Sequence, residues 1–174
     1  DQFYSYRTAL AKLGIEDYTG IDIGEGANVD VVVPEYGGWP QLVPQADVVI
    51  SGQTLEHTRW PWEFIKNVRS ITKPGGLVIL IAPWIFHVHR HPVDCWRVLP
   101  DGMTALFEWA NIDMLEVGIS ESDCWGVGSI PTPTPYSDAL SPVRSEHGAM
   151  WHHATAEGQV PPALDIAERT ASSI

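Results

Sequence analysis

Apolar residues recur at two different spacings along the first two thirds of the chain, and each spacing indicates a local structure. Residues 62–71 carry apolar side chains three and four positions apart, which is the spacing of one helix face. Residues 77–82 are apolar at every position, as in a strand covered on both faces of a parallel sheet. Similar patterns predict helices at 4–13 and 100–110 and strands at 18–23, 29–33, 46–51 and 114–119.

The alternation of these strands and helices predicts an α/β fold, with a doubly wound, mostly parallel sheet and helices on both faces. Ligands of such sheets bind at the carboxyl ends of the strands, so we expect the chemistry in the segments that follow strands. Residues 1–125 form this predicted domain. Residues 126–174 begin with a proline-rich connection and form a C-terminal segment, in which 149–156 is a candidate last strand and 162–170 a candidate helix.

Composition narrows the range of partners. The formal net charge of −12 opposes a polyphosphate backbone, so we expect no nucleic-acid partner and favour a small molecule or a protein. No apolar run reaches the ~18 residues that a membrane span needs, so we expect no membrane partner. Cys95 and Cys124 form no close-spaced pair, which excludes a disulfide framework and a thiolate zinc site and is consistent with a cytoplasmic protein.

Asp22 is the first candidate site residue. It ends a predicted strand and is followed by Gly24 and Gly26, so its carboxylate is expected beside a flexible turn at the carboxyl edge of the sheet. A carboxylate in that place can accept the hydroxyl groups of a ribose. The alternative is an aspartate that only caps the turn.

Three segments in order carry a resemblance to a known family. YTGIDI (18–23), DVVIS (47–51) leading to LEH (55–57), and KPGGL (73–77) resemble the succession found in class I S-adenosylmethionine-dependent methyltransferases. The resemblance covers residues 4–118 and implies a Rossmann-like fold with S-adenosylmethionine as cofactor. It also implies that Asp22, with Ile23 beside it, holds the ribose of the cofactor. Glu35, after Pro34, is implied near the adenine.

The same resemblance places further cofactor contacts after the strand 46–51. Gln53, Thr54 and Leu55 match the positions that line the methionine side of the cofactor, and His57 lies at the mouth of the site. Lys73 to Gly76 match a turn that marks the fold and has no catalytic part.

A second block, residues 86–103, resembles the histidine-proline-aspartate-tryptophan-arginine stretch that lies over the cofactor pocket in a subgroup of the family. A histidine there could remove the proton from an acceptor hydroxyl, and the candidates are His57, His89 and His91. The residues do not distinguish among the three, and the alternative is that they are solvated loop residues.

Four residues are candidates for binding the acceptor. Trp84 and Trp96 could stack on a flat or sugar-like molecule, although core filling explains most tryptophans of the chain. His87 lies in the same block. Arg97 could hold an acidic group of the acceptor, or it could pair with Asp94 or Asp101 and lock the loop.

The block also permits a metal site. His87, His89 and His91 stand at alternate positions with Asp94 and Cys95 nearby, and imidazole and carboxylate are ligands of zinc and iron. Because Pro92 favours a loop over a strand, we assign no metal ligands from this pattern.

The resemblance begins at the helix that follows the glycine-rich turn of the family's first strand, and no such turn is found in the sequence. Residues before Asp1, a second chain, or a scaffold that no longer binds the cofactor would each account for this, and we expect the first. The sequence thus predicts a methyltransferase that acts on a small-molecule acceptor, with O-methylation expected. The alternatives are a non-catalytic scaffold or binding subunit and, third, a metal-dependent enzyme. A homo-oligomer or an assembly partner is left open.

Overall fold

The computed structural model describes residues 6–132. The helices in chain order are α1 (Arg7–Ala11), α2 (Trp39–Leu42), α3 (Pro61–Ser70) and α4 (Pro100–Trp109). The strands are β1 (Ile21–Asp22), β2 (Val31–Val32), β3 (Ala46–Gly52), β4 (Thr72–Pro83), β5 (Asp113–Ile119) and β6 (Asp123–Ser129). A 3-10 turn at Leu55–His57 follows β3. None of the helices within residues 6–132 is long and apolar enough to cross a membrane.

The strands form two sheets. One contains four strands in the order β3-β4-β6-β5, and the other pairs β1 with β2. The pairs β1–β2 and β3–β4 are parallel, whereas β6 runs antiparallel to both β4 and β5. The predicted α/β Rossmann-like fold is confirmed, with a mixed sheet. Within residues 6–132 no strand pairing joins the two sheets.

Helix α3 and strand β4 form the centre of the core. Proline suits the first turn of a helix because its missing N–H would have no partner there, and α3 begins at Pro61. Its buried face includes Ile65 and Val68, which are 0% and 1% exposed. Strand β4 buries one face completely, including Val78 and Leu80, while its other face is only half-buried. This asymmetry differs from the even burial that its unbroken apolar run predicts.

Strand β6 is an element that the sequence pattern did not predict. It lies between β4 and β5 and crosses residue 125, where the predicted domain ends. Its alternate residues Gly126 and Gly128 face α4, and a Cβ at Gly128 would lie 2.6 Å from the ring of Phe107. Glycine is therefore needed for the helix to approach the strand, and glycine is the residue type that weakens a strand pattern.

Other segments also differ from the predictions, and two lie outside the described part. Strands β1 and β2 have two residues each, shorter than the predicted 18–23 and 29–33. Helix α2 was not predicted. Residues 73–76, expected as a turn before the strand, lie within β4, where the pairing with β3 shifts from Ala46↔Thr72 to Val48↔Leu77. The candidate strand at 149–156 and the candidate helix at 162–170 lie outside the described residues.

Candidate functional site

The carboxyl ends of β3 and β4 lie at the same edge of the sheet because the two strands are parallel. Strand β6 begins at that edge, since Asp123 pairs with Pro83. Gln53 leaves β3 with a φ of 56° and donates from Nε2 to Oδ1 of Asp123 at 3.0 Å. A left-handed φ at a residue other than glycine marks a sharp, constrained turn. The chain therefore bends at the edge where ligands of α/β sheets bind.

The segment that follows β2 reaches the same edge. The hydroxyl of Tyr36 accepts hydrogen bonds from the backbone N–H groups of Arg59 and Trp60, at 3.0 and 3.2 Å. Glu35 pairs with Arg59 at 3.4 Å. These contacts connect the residues that follow β2 to the residues that follow the 3-10 turn after β3.

Asp22 lies at the end of β1 and is exposed. Its Oδ1 accepts a hydrogen bond from the backbone N–H of Gly24 at 3.1 Å, which is the turn-capping contact. Ile23 beside it is 55% exposed. The carboxylate is thus held by the turn and open to solvent, a geometry that fits both the capping role and the ribose role.

The three residues expected to line the methionine side differ in burial. Gln53 and Thr54 are exposed, and the Thr54 hydroxyl donates to the carbonyl of Gly52 at 3.3 Å. Leu55 is 2% exposed and packs in the core, so only its backbone could face a ligand. Tyr6, which the sequence analysis did not single out, lies against Gly52 so closely that a Cβ there would not fit. Burial raises the pKa of the Tyr6 phenol.

A loop between β4 and α4, residues 84–99, covers the 3-10 turn, and we call it the histidine loop. Its backbone N–H groups at Cys95 and Trp96 donate to the carbonyl of Glu56 at 2.7 and 3.3 Å. The indole N–H of Trp96 donates to the carbonyl of Thr58 at 2.8 Å. Three hydrogen bonds therefore fix the histidine loop on the residues that follow β3.

Arg97 and Asp94 lock the histidine loop internally. Nη1 and Nη2 of Arg97 donate to the two carboxylate oxygens of Asp94 at 2.6 and 2.8 Å. The Arg97 guanidinium, followed by the hydrogen bond from the backbone N–H of His89, holds the pKa of the Asp94 carboxyl well below its ordinary value. Of the two roles considered for Arg97, the structure contains the pairing with Asp94.

The three candidate catalytic histidines lie together. The ring centroid of His57 is 4.9 Å from that of His89 and 6.1 Å from that of His91, and the rings of His89 and His91 are 6.0 Å apart. His87 is exposed and packs on Phe86 with centroids 4.2 Å apart. The structure thus joins a residue after β3 to two residues after β4, which are 32 or more positions away in sequence.

Glu56 is a site residue that the sequence analysis treated only as part of the LEH segment. Its side chain is fully buried, and Oε1 lies 3.5 Å from Nε2 of His57. Burial raises the pKa of the Glu56 carboxyl, although the neighbouring His57 acts in the opposite direction. The available signal was its place between a buried leucine and a histidine directly after a strand.

The two tryptophans expected to bind an acceptor are partly engaged by the protein. The indole N–H of Trp84 donates to the carbonyl of Ser120 at 3.1 Å. Trp96 is 38% exposed and packs edge to face on Trp62, with centroids 6.4 Å apart. A hydrogen bond from each indole N–H therefore restricts the orientation of its ring, and part of the Trp96 side chain is exposed to solvent.

Comparison with known proteins agrees with this arrangement. Residues 5–80 match the family model described as a methyltransferase domain. No curated protein sequence matches the chain. The matched residues contain β1 to β3, the 3-10 turn, α3 and most of β4.

Solved structures show the same fold at low sequence identity. A SAM-dependent methyltransferase from Aquifex aeolicus has a TM-score of 0.54 and 18% identity, over 72% of this chain and 76% of that one. The [4+2]-cyclase SpnF has a TM-score of 0.54 and 13% identity, over 72% and 71%. A putative methyltransferase from Haloferax volcanii, in complex with the Trm112 methyltransferase activator, has a TM-score of 0.50 and 16% identity, over 74% and 80%.

A further similar structure, of an O-methyltransferase family protein from Burkholderia thailandensis, is much longer. This protein spans only 32% of its length. Residues 5–80 are therefore similar to a methyltransferase domain, and the described residues share the fold of the solved methyltransferase structures.

Proposed function

We propose that this protein transfers the methyl group of S-adenosylmethionine to an oxygen atom of a small-molecule acceptor. The observation that carries the proposal is the convergence of polar residues beside the carboxyl ends of β3 and β4: Glu35 after β2, Gln53 and His57 after β3, and His89 after β4. Open α/β sheets bind their ligands at this edge, and the similarity of residues 5–80 to a methyltransferase domain supports S-adenosylmethionine as the cofactor.

The cofactor side of the proposal uses the exposed residues at the ends of β1, β2 and β3. Asp22 would accept the ribose hydroxyls with Ile23 beside the sugar, and Glu35 would lie near the adenine. Gln53 and Thr54 would line the methionine side together with the backbone of Leu55. When bound, the cofactor supplies an electrophilic methyl group on a sulfonium.

The acceptor side uses the histidine loop. Trp84, Trp96 and His87 would contact a flat or sugar-like acceptor, and Arg97 would contribute indirectly by fixing the loop through Asp94. One of His57, His89 and His91 would take the hydroxyl proton as the acceptor oxygen bonds to the methyl carbon. The remaining work is alignment of the oxygen with the methyl group, which needs no covalent intermediate.

Calorimetric titration with S-adenosylmethionine tests the cofactor proposal. We expect micromolar binding, and we expect Asp22→Ala to weaken it by about 1–3 kcal/mol because charge-assisted hydrogen bonds are lost. Asp47→Ala is the matched control, since this exposed aspartate lies at the opposite, amino end of β3. Absence of binding heat in the unmodified protein would refute the proposal, and equal losses in both variants would refute the role of Asp22.

A second measurement tests turnover. S-Adenosylhomocysteine formation would be followed with phenols and sugars as candidate acceptors. A non-catalytic methyltransferase-like scaffold is the second candidate function, because the similar structure from Haloferax volcanii is a complex with a protein partner, which favours an assembly role. Tight cofactor binding with no turnover on any acceptor, together with a stable partner or homo-oligomer in size-exclusion chromatography, would favour the scaffold.

A further inference from the structure

Glu56, His57 and His89 form a cluster whose metal-ligating atoms all lie within 4.8 Å of one another. Glu56 is fully buried, and neither of its carboxylate oxygens has a hydrogen-bond partner among the described residues. A buried carboxylate without a partner is unfavourable unless a proton or a cation compensates its charge. The cluster therefore contains an unmet requirement for positive charge.

The two histidines do not supply that charge through hydrogen bonds to Glu56. Nδ1 of His57 lies 2.6 Å from the carbonyl oxygen of Val93, and because a carbonyl only accepts, Nδ1 must donate. In the neutral ring this leaves a lone pair on Nε2, which lies 3.5 Å from Oε1 of Glu56. His89 repeats the arrangement, since its Nδ1 lies 3.1 Å from the carbonyl oxygen of His87.

The result is the carboxylate of Glu56, the Nε2 atom of His57 and a ring nitrogen of His89 within 4.8 Å of one another. Metal-binding histidines characteristically donate their other ring N–H to a carbonyl or carboxylate, which fixes the tautomer and the ring orientation. A tetrahedral zinc ion with ligands at about 2.0–2.1 Å places neighbouring ligand atoms about 3.3–3.4 Å apart. The 3.5 Å between Glu56 and His57 is close to this spacing.

The surrounding protein holds the cluster in place. The histidine loop is attached to the carbonyl of Glu56 by two backbone hydrogen bonds. Asp94, paired with Arg97, accepts the backbone N–H of His89 at 2.8 Å and lies 3.5 Å from its Nδ1. A carboxylate behind a histidine makes the ring a better metal ligand.

We infer that Glu56, His57 and His89 bind one divalent transition-metal ion of the zinc class, with a fourth coordination position open to water or to a ligand. Two imidazoles and one carboxylate are a common ligand set for zinc, and also for non-haem iron. This site differs from the one that the sequence pattern suggested, because it uses Glu56 and His57 after β3 in place of His87 and His91. The inference does not depend on the proposed methyl transfer.

The test is zinc binding by tag-free protein that has first been stripped with a chelator. We expect titration with zinc sulfate alone to give one equivalent, confirmed by elemental analysis after dialysis. Glu56→Gln and His89→Gln should each weaken binding by roughly 100-fold or more, since each removes a ligand. The matched controls are His87→Gln, an exposed histidine of the same loop, and Cys95→Ser, the nearby exposed thiol; both should bind as the unmodified protein does.

Cobalt substitution provides a second readout. Co²⁺ in the site should give the visible bands of a tetrahedral ion without the thiolate charge-transfer band that a cysteine ligand would add. Absence of stoichiometric zinc in the unmodified protein, or full binding by folded Glu56→Gln, would overturn the inference. Because S-adenosylmethionine binding is measured on the same samples, loss of metal binding alone leaves the proposed function intact, and loss of cofactor binding alone leaves the metal site intact.

Discussion

The contact between β6 and α4 gives a prediction whose size can be worked out from the structure. A Cβ at Gly128 would lie 2.6 and 2.7 Å from two ring carbons of Phe107 and 2.8 Å from the backbone oxygen of Asp113. Neither the buried ring nor the backbone can move freely, so Gly128→Ala should cost about 2–3 kcal/mol from overpacking. Alanine recovers about 0.4–1 kcal/mol by restricting the unfolded chain, because this glycine has no positive φ. The net expected loss in the free energy of unfolding is about 2 kcal/mol.

Gly126→Ala is the matched control on the same strand. Its Cβ would lie 2.7 Å from Cγ of Met103 and otherwise no closer than 3.4 Å to a neighbour. Met103 is also buried, but its unbranched side chain has more rotatable bonds than a phenylalanine ring, so the overpacking cost should be lower, about 1 kcal/mol, and nearly cancel the gain from the unfolded chain. Urea unfolding measures both values, with an unchanged dependence on urea concentration as the condition for comparing them.

A double-mutant cycle with Phe107→Leu identifies the partner. The smaller side chain should reduce the cost of Gly128→Ala by about 0.5 kcal/mol or more, because residues in contact do not contribute additively. Equal stability of the Gly126 and Gly128 variants, or a cost of Gly128→Ala that does not change with Phe107→Leu, would refute the packing argument.

Three further predictions concern thiols, core and loop. Cys95 is exposed, whereas Cys124 is buried and burial raises the pKa of its thiol. Native protein should therefore react with a thiol reagent at one site and unfolded protein at two. Rapid reaction of both thiols in native protein would contradict this. Ile65→Ala should lower the free energy of unfolding by about 2–5 kcal/mol, since this side chain is fully buried, and a loss below 1 kcal/mol in urea unfolding would count against its place in the core. Trp96→Phe should cost about 0.5–1.5 kcal/mol in the same assay by removing the hydrogen bond to the Thr58 carbonyl, and an unchanged midpoint would show that this bond adds nothing.

Hydrophobic spacing predicted the helices and strands that contribute an apolar face to the core. Helices α3 and α4 and strands β3 and β5 lie within one residue of their predicted bounds at each end. Strand β6 was missed because its inward positions include Gly126 and Gly128, whose lack of a side chain is what the neighbouring helix requires. A pattern of apolar residues cannot indicate a strand whose contribution to packing is to leave space.

The candidate site was predictable only as a set of residues and not as an arrangement. Each candidate follows a strand, and parallel strands place their carboxyl ends together, so the proximity of His57 and His89 follows from the topology. The sequence analysis left Arg97 with two roles, since pairing with Asp94 depends on the path of a loop without repeating structure. Glu56 was missed because its burial depends on the histidine loop, which covers it from a distant part of the chain.

Glu56 also bears on why this edge of the sheet is a candidate functional site. An unsatisfied buried polar group costs about 1–3 kcal/mol, and an apolar side chain of similar size would remove that cost. The neighbouring residues exclude solvent from the carboxylate and give it no hydrogen-bond partner among the described residues. The Nδ1 atoms of both nearby histidines lie against carbonyl oxygens. Such a position is unfavourable for folding alone and becomes favourable only when a proton or a cation is received there. Metal binding needs a group of that kind, so the energetic cost at Glu56 is what this chemistry would be expected to require.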